Sequence, residues 1–187
     1  PVLRLYNLLK AADRSDDAEG LITDALNAQP NSLNLRWVRA GELELDGDIE
    51  GAIALYEAMY ETNSNSVTIA NNLASLIATH RDDTEGLERA ATIAKRLRDT
   101  DVPAFQDTYG WIAYRLGNYS DARDYLEPAA AGLPDDPLVQ YHLGMTYVAL
   151  EDTAAARTQL TLALDLAGDS PLPQFEAART ALQELGE

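Results

Sequence analysis

The stretch of the chain with the strongest chemical look is Asp46-Gly47-Asp48-Ile49-Glu50-Gly51, followed by Glu57. Acids at alternate positions, a glycine at the sixth and a glutamate at the twelfth are what a calcium loop uses. A hard divalent cation takes oxygen ligands, and the glycine lets the backbone turn sharply around it. Glu50 stands where that pattern wants Asp or Asn. The pairs Asp16-Asp17, Asp82-Asp83 and Asp135-Asp136 offer carboxylates for general acid and base work, and His80 and His142 are the two imidazoles. Neighbours in sequence do not face a substrate from opposite sides, and no H-E-x-x-H spacing joins a histidine to a carboxylate. With no cysteine there is no disulfide, thiol nucleophile or thiolate metal site. The sequence also lacks a glycine-rich phosphate loop, a nucleophile elbow and a kinase signature. Nothing carries an enzyme reading, and no cofactor is expected.

Composition narrows the partners. The chain sets 31 Asp plus Glu against 14 Lys plus Arg, a formal net charge of -17. Nucleic-acid affinity rests on phosphate contacts that such a surface repels, so no nucleic acid is expected and anionic membranes are disfavoured. No apolar run approaches the roughly 18 residues of a membrane span, so direct insertion is not expected either. A hydrophobic share of 46% is that of a folded protein. Residues 1–10 lack a signal-peptide pattern, and a start at Pro1 fits a piece of a longer chain. A cysteine-free chain suits the cytoplasm and the envelope or periplasm alike.

The elements that would position these residues repeat. Ala18, Ala52, Ala90, Ala122 and Ala156 recur at intervals averaging close to 34 residues. Twelve residues before four of them stand Tyr6, Ala40, Gly110 and Gly144, and Ala74 stands sixteen before Ala90. Small residues at fixed points on two successive helices allow their backbones to approach. Apolar spacing between the turns is helical, as in Ala52, Leu55 and Met59 or Leu143, Tyr147 and Leu150, and nothing alternates as a strand would. Asp136-Pro137 and Ser170-Pro171 read as helix starts, an N-cap followed by a proline in the first turn. The expected layout is a run of helix pairs over 1–32, 33–66, 67–102, 103–136 and 137–170. A final segment, 171–187, acts as a capping helix or the start of a sixth unit. In that register Asp48 to Gly51 begin a helix with Ala52 and Leu55 inward, which leaves no backbone to wrap calcium at Asp46, Asp48, Glu50 and Glu57. No metal site is therefore expected.

The best copy of the repeat, Leu143-Gly144-x2-Tyr147 with Ala156-x3-Leu160 and Ala163, resembles the tetratricopeptide repeat (TPR) in both period and pattern. Tyr109-Gly110-x2-Ala113 with Ala122-x3-Leu126, Ala129 and Pro134 follows it, as does Ala52-x3-Tyr56. The third unit departs, with about four extra residues around His80 to Gly86. The resemblance implies an all-α superhelix, a solenoid of about five helix pairs plus a C-terminal capping helix. Asn71-Asn72-Leu73-Ala74, Asp107-Thr108-Tyr109-Gly110-Trp111 and Tyr141-His142-Leu143-Gly144 also look like bacterial TPR proteins of exopolysaccharide and protein-sorting systems.

In that family the first-helix face beside the packing stripe lines a concave groove. Stepping about 100 degrees per residue from Gly110 puts Asp107, Trp111, Tyr114 and Arg115 there. Tyr141 and Met145 are the equivalents in the next unit, Asn71 in the third with Asn72 at its edge, and Trp37 with Gly41 and Glu44 in the second. Aromatic anchors and amides suit a polypeptide ligand. The resemblance thus implies a non-enzymatic scaffold that binds a polypeptide segment in the groove, and the net charge of -17 favours a neutral or basic one. Members that clamp a terminal carboxylate use a basic set that is missing here, where Leu3, Asn7, Trp37, Asn71 and Asp107 occupy that face. The other expectation is a spacer in a longer envelope-associated protein, or a segment that self-associates through its ends, with no groove ligand.

Overall fold

The computed structural model describes residues 1–186, and these fold into eleven α-helices and a single 3-10 turn, with no strand among the described residues. The helices are α1 (Val2–Ala11), α2 (Ser15–Ala28), α3 (Leu33–Leu45), α4 (Ile49–Thr62), α5 (Val67–His80), α6 (Thr84–Ala94), α7 (Pro103–Arg115), α8 (Tyr119–Gly132), α9 (Pro137–Ala149), α10 (Thr153–Ala167) and α11 (Pro173–Glu184). The 3-10 turn, Lys95–Leu97, extends α6. The chain divides into two compact segments, residues 1–76 and 77 onward, and the boundary falls inside α5.

The small sites sit where backbones meet. The five in-phase alanines, Ala18, Ala52, Ala90, Ala122 and Ala156, are each 0% exposed. A Cβ on Gly110 would lie 2.6 Å from Leu126 Cγ and 3.1 Å from the Ala122 carbonyl oxygen. One on Gly144 would lie 2.5 Å from Leu160 Cδ2. Leu126 and Leu160 fill the space that the absent side chains leave, so α7 rests directly on α8 and α9 on α10. Ala122, Leu126, Ala129, Val139 and Leu143 then form one core that joins successive pairs.

Helix ends are closed by a shared device. After α1, α3, α7 and α9 the second residue past the helix is left-handed: Asp13 (φ 56), Gly47 (φ 79), Gly117 (φ 80) and Glu151 (φ 62). In each case two N–H groups return to the last turn. Gly117 N donates to Tyr114 O and Asn118 N to Ala113 O, and Glu151 N donates to Val148 O and Asp152 N to Tyr147 O. This is the Schellman closure, which satisfies carbonyls that the helix leaves without partners. The next helix starts at once, with Asp48 and Asp152 accepting from Gly51 N and Ala155 N. Asp136 caps α9 through the Leu138 and Val139 N–H groups, as its sequence suggests. Ser170 does not start a helix: α11 begins at Pro173 after an extended Leu172, two residues later than the Ser170-Pro171 pair predicts. Proline at the first helical position fits either place, and the turn from Gly168 to Ser170 uses up the difference.

A second device ties pairs together. Four residues before the small site stand Arg36, Gln106, Gln140 and Gln174. Arg36 Nε donates to Pro30 O at 2.7 Å, Gln106 Nε2 to Thr100 O at 3.2 Å and Gln140 Nε2 to Pro134 O at 3.2 Å. Each of these three holds the loop carbonyl six residues upstream. Gln140, 1% exposed, also reaches Leu133 O and Ala130 O at the end of α8.

Candidate functional site

Two clusters form on the first-helix faces, one in each compact segment. In the N-terminal segment the organiser is Tyr56 of α4. It occupies the position that Ile22, Leu126 and Leu160 fill in other repeats, and like them it is buried, at 2%. A tyrosine there has the same apolar body but carries a hydroxyl that needs partners. That hydroxyl donates to Glu44 Oε1 at 3.0 Å and accepts from Asn72 Nδ2 at 3.2 Å. Asn71 Nδ2 donates to Asn72 Oδ1 at 3.3 Å, while Asn71 Oδ1 is buried with no protein partner. Trp37 sets its ring edgewise to Tyr56, centroids 5.7 Å apart. Burial pushes the Tyr56 phenol up to about 12, the negative charge of Glu44 acts in the same direction, and the Asn72 hydrogen bond acts against it. Tyr56 therefore stays a donor at neutral pH and holds the exposed Glu44 carboxylate in place.

In the C-terminal segment the corresponding residues close on one another. The Trp111 ring is stacked between Tyr114, at 4.7 Å and 8°, and His142, at 4.1 Å and 18°, with Tyr141 tilted against it at 5.8 Å. His142 Nδ1 lies 2.9 Å from Asp107 Oδ1, and since a carboxylate accepts, the ring donates through Nδ1. Trp111 is 9% exposed and Tyr141 6%, so both are packing residues between α7 and α9 rather than open anchors. Burial pushes the Tyr141 phenol up to about 12 and raises that of Tyr114 as well. Met145 lies partly buried on α9.

Arg115 points elsewhere, although helical stepping groups it with Trp111. Its guanidinium donates to the Ala78 carbonyl, to Arg81 O at 3.1 Å and to Asp82 Oδ1 at 2.6 Å. These groups surround the end of α5, whose turn carries the extra residues and, among the described residues, has no left-handed closure. Arg115 caps that helix from outside. Periodicity gives the direction of a residue at its Cα, and a long flexible side chain can reach a neighbouring helix end instead.

The acidic motif folds as two helix ends. Asp46 is the residue after α3, Gly47 is the left-handed closure, Asp48 caps α4, and Glu50 and Glu57 lie within α4. Among the described residues no group of three or more His, Asp or Glu could hold a metal ion. His80 is exposed at the end of α5.

The sequence reading missed Tyr56 as organiser and the Arg36, Gln106 and Gln140 clasps. Both left a trace: a tyrosine where three other repeats have Ile or Leu and the third repeat has Ala94, and a polar residue four before the small site in four repeats.

Eleven helices joined through small, fully buried residues at a 34-residue spacing have close counterparts among solved structures. A thermophilic TPR protein of Thermus thermophilus superposes with a TM-score of 0.67 over 97% of both chains at 22% identity. The type IV pilus biogenesis factor PilW superposes with a TM-score of 0.71 over 97% of this chain and 87% of its own, at 17% identity. This chain has the tetratricopeptide-repeat fold. No family model matches the array. YrrB, described as a TPR protein with an unusual peptide-binding site, covers 96% of this array with a TM-score of 0.64 at 15% identity. In sequence, a TPR repeat-containing protein of Pseudomonas aeruginosa is 29% identical over 132 residues. That match takes in 71% of this chain and 22% of the relative, so the array spans a small part of the longer protein.

Proposed function

We propose that this TPR array is a non-enzymatic protein-interaction scaffold that binds a polypeptide segment on its first-helix face. The observation that carries the reading is the chain of hydrogen bonds from Asn71 through Asn72 and Tyr56 to Glu44, beside Trp37. It holds amides and a carboxylate in fixed positions next to an aromatic ring, an arrangement suited to the N–H and C=O groups of a backbone. The buried Tyr56 ring makes this order inexpensive to keep. YrrB, which shares the fold, is a peptide binder by its description, and that precedent supports the reading. A neutral or basic partner suits the net charge of -17, chiefly through encounter rate.

The test is a cross-linked pull-down with the wild-type array beside a Trp37→Ala, Asn72→Ala double variant whose helicity is verified by circular dichroism. A polypeptide retained by the first and lost by the second is the expected result. Equal recovery by both rejects the reading.

A spacer or self-associating role is the second reading, favoured by α1. That helix buries none of its residues, and Leu5 and Leu8 are 47% and 60% exposed. Mass that rises with concentration in sedimentation, and falls back in Leu5→Lys, Leu8→Lys, supports this version.

A further inference from the structure

We infer that the α3 face takes an extended polypeptide whose backbone crosses the helix at Gly41, with an apolar side chain turned to Trp37 and the adjacent basic one to Glu44. The inference rests on the scaffold reading above and specifies its ligand.

Gly41 is the starting point. It lies in the interior of α3, where a glycine destabilises a helix relative to alanine. Gly110 and Gly144 have a reason to be glycine, because a Cβ on either would collide with Leu126 or Leu160. A Cβ on Gly41 would meet nothing within 4 Å, and its φ is not positive. Neither internal packing nor backbone conformation calls for glycine. What its bare backbone provides is close access from outside, the third use of glycine.

The flanks of that opening are chemically distinct. One turn before it, Trp37 is held edgewise against Tyr56. One turn after it, the exposed Glu44 has Oε1 fixed by the Tyr56 hydroxyl, while its second oxygen takes no hydrogen bond among the described residues. Among the described residues no cation pairs with Glu44, and Arg39, on the same helix, is engaged by Glu19 at 2.6 Å and by Glu42 at 3.3 Å. Residues 1–76 carry five Lys or Arg against twelve Asp or Glu, so a basic group from a partner meets a favourable field.

Strand geometry matches this layout. Successive side chains of an extended chain point to opposite sides. A strand lying across α3 at Gly41 therefore sends one side chain toward Trp37, roughly 6 Å down the helix axis, and the next toward Glu44, roughly 4.5 Å up it. The seat selects adjacent apolar and basic residues.

The experiment uses fluorescein-labelled synthetic peptides that differ only in a central Leu-Lys, Leu-Glu or Ser-Lys pair, with binding to the full array read by anisotropy. Leu-Lys is expected to bind at least about tenfold more tightly than Leu-Glu. Glu44→Gln should erase that preference. Gly41→Ala should weaken Leu-Lys binding while raising the melting temperature, so that loss of binding cannot be ascribed to unfolding, and Gly41→Leu should abolish it. Equal binding of the three peptides, absence of binding by any, or Leu-Lys binding that survives Gly41→Leu overturns the inference. A polypeptide cross-linked by wild type and by Gly41→Leu, but not by Trp37→Ala, Asn72→Ala, withdraws this seat and leaves the scaffold reading standing.

Discussion

At Glu151 a charged side chain occupies a left-handed position that Gly47 and Gly117 fill in equivalent turns. An L-residue there brings its Cβ too close to the neighbouring carbonyl. Glu151→Gly is therefore expected to stabilise the array by about 0.5 to 1 kcal/mol, the relief of strain exceeding the added freedom of the unfolded chain. Urea unfolding of the pair of proteins checks this. Tyr56 supplies the second prediction at this scale. Its phenol is pushed up to about 12 from an ordinary value near 10, so the folded state holds a proton that the unfolded state has released. Its contribution is complete below pH 10 and is lost as pH rises from about 10 to about 12. Tyr141 and Tyr147, both pushed up to about 12, act in the same sense. Unfolding midpoints should fall across that window, and less steeply in Tyr56→Phe than in wild type.

Among the elements, α7 and α9 lie on α8 and α10 through bare backbone at Gly110 and Gly144. Gly144→Ala must push Leu160 aside, and overpacking of this kind costs about 1 to 3 kcal/mol even though alanine favours helix. Ala122→Leu, at a fully buried site beside Gly110, should lose a similar amount. Unchanged melting in either variant would contradict the packing described. The end of α5 poses a different problem, because its carbonyls are satisfied by Arg115 from α7. Arg115→Ala should leave the core intact and raise amide hydrogen exchange selectively over 78–82, where the guanidinium holds the Ala78 and Arg81 carbonyls and the Asp82 side chain. The same substitution tests whether Arg115 serves the α5 end or a ligand, since a ligand role would leave that exchange unchanged.

For the whole molecule the governing quantity is charge. A net charge of -17 on 187 residues leaves an excess of negative charge, and self-repulsion opposes the compact state. Raising salt from about 10 mM to about 150 mM shortens the screening length from roughly 30 Å to roughly 8 Å and should raise the melting temperature. A fall would mean that surface pairs such as Arg14–Asp17 and Arg179–Glu176 outweigh the repulsion.

The sequence by itself determined the helices, the repeat fold and the small-residue contacts, since spacing alone decides which residues recur at each backbone approach. The five alanines spaced about 34 residues apart are all fully buried for that reason. It also determined that Asp48 starts a helix, because Ala52 must face inward; the inward stripe then runs through Tyr56 and Met59, with the expected Leu55 only half-buried beside it. Tertiary structure decided the depth and reach of the remaining side chains. Trp111 and Arg115 lie four residues apart on one helix face, yet one is stacked between two rings and the other caps α5. Tyr56 belongs to the buried stripe by period, and only the placement of α3 and α5 beside α4 gives its hydroxyl Glu44 and Asn72 as partners. Periodicity fixes the angle of a Cα about its helix axis, but which atoms a side chain meets depends on neighbours brought close by the fold.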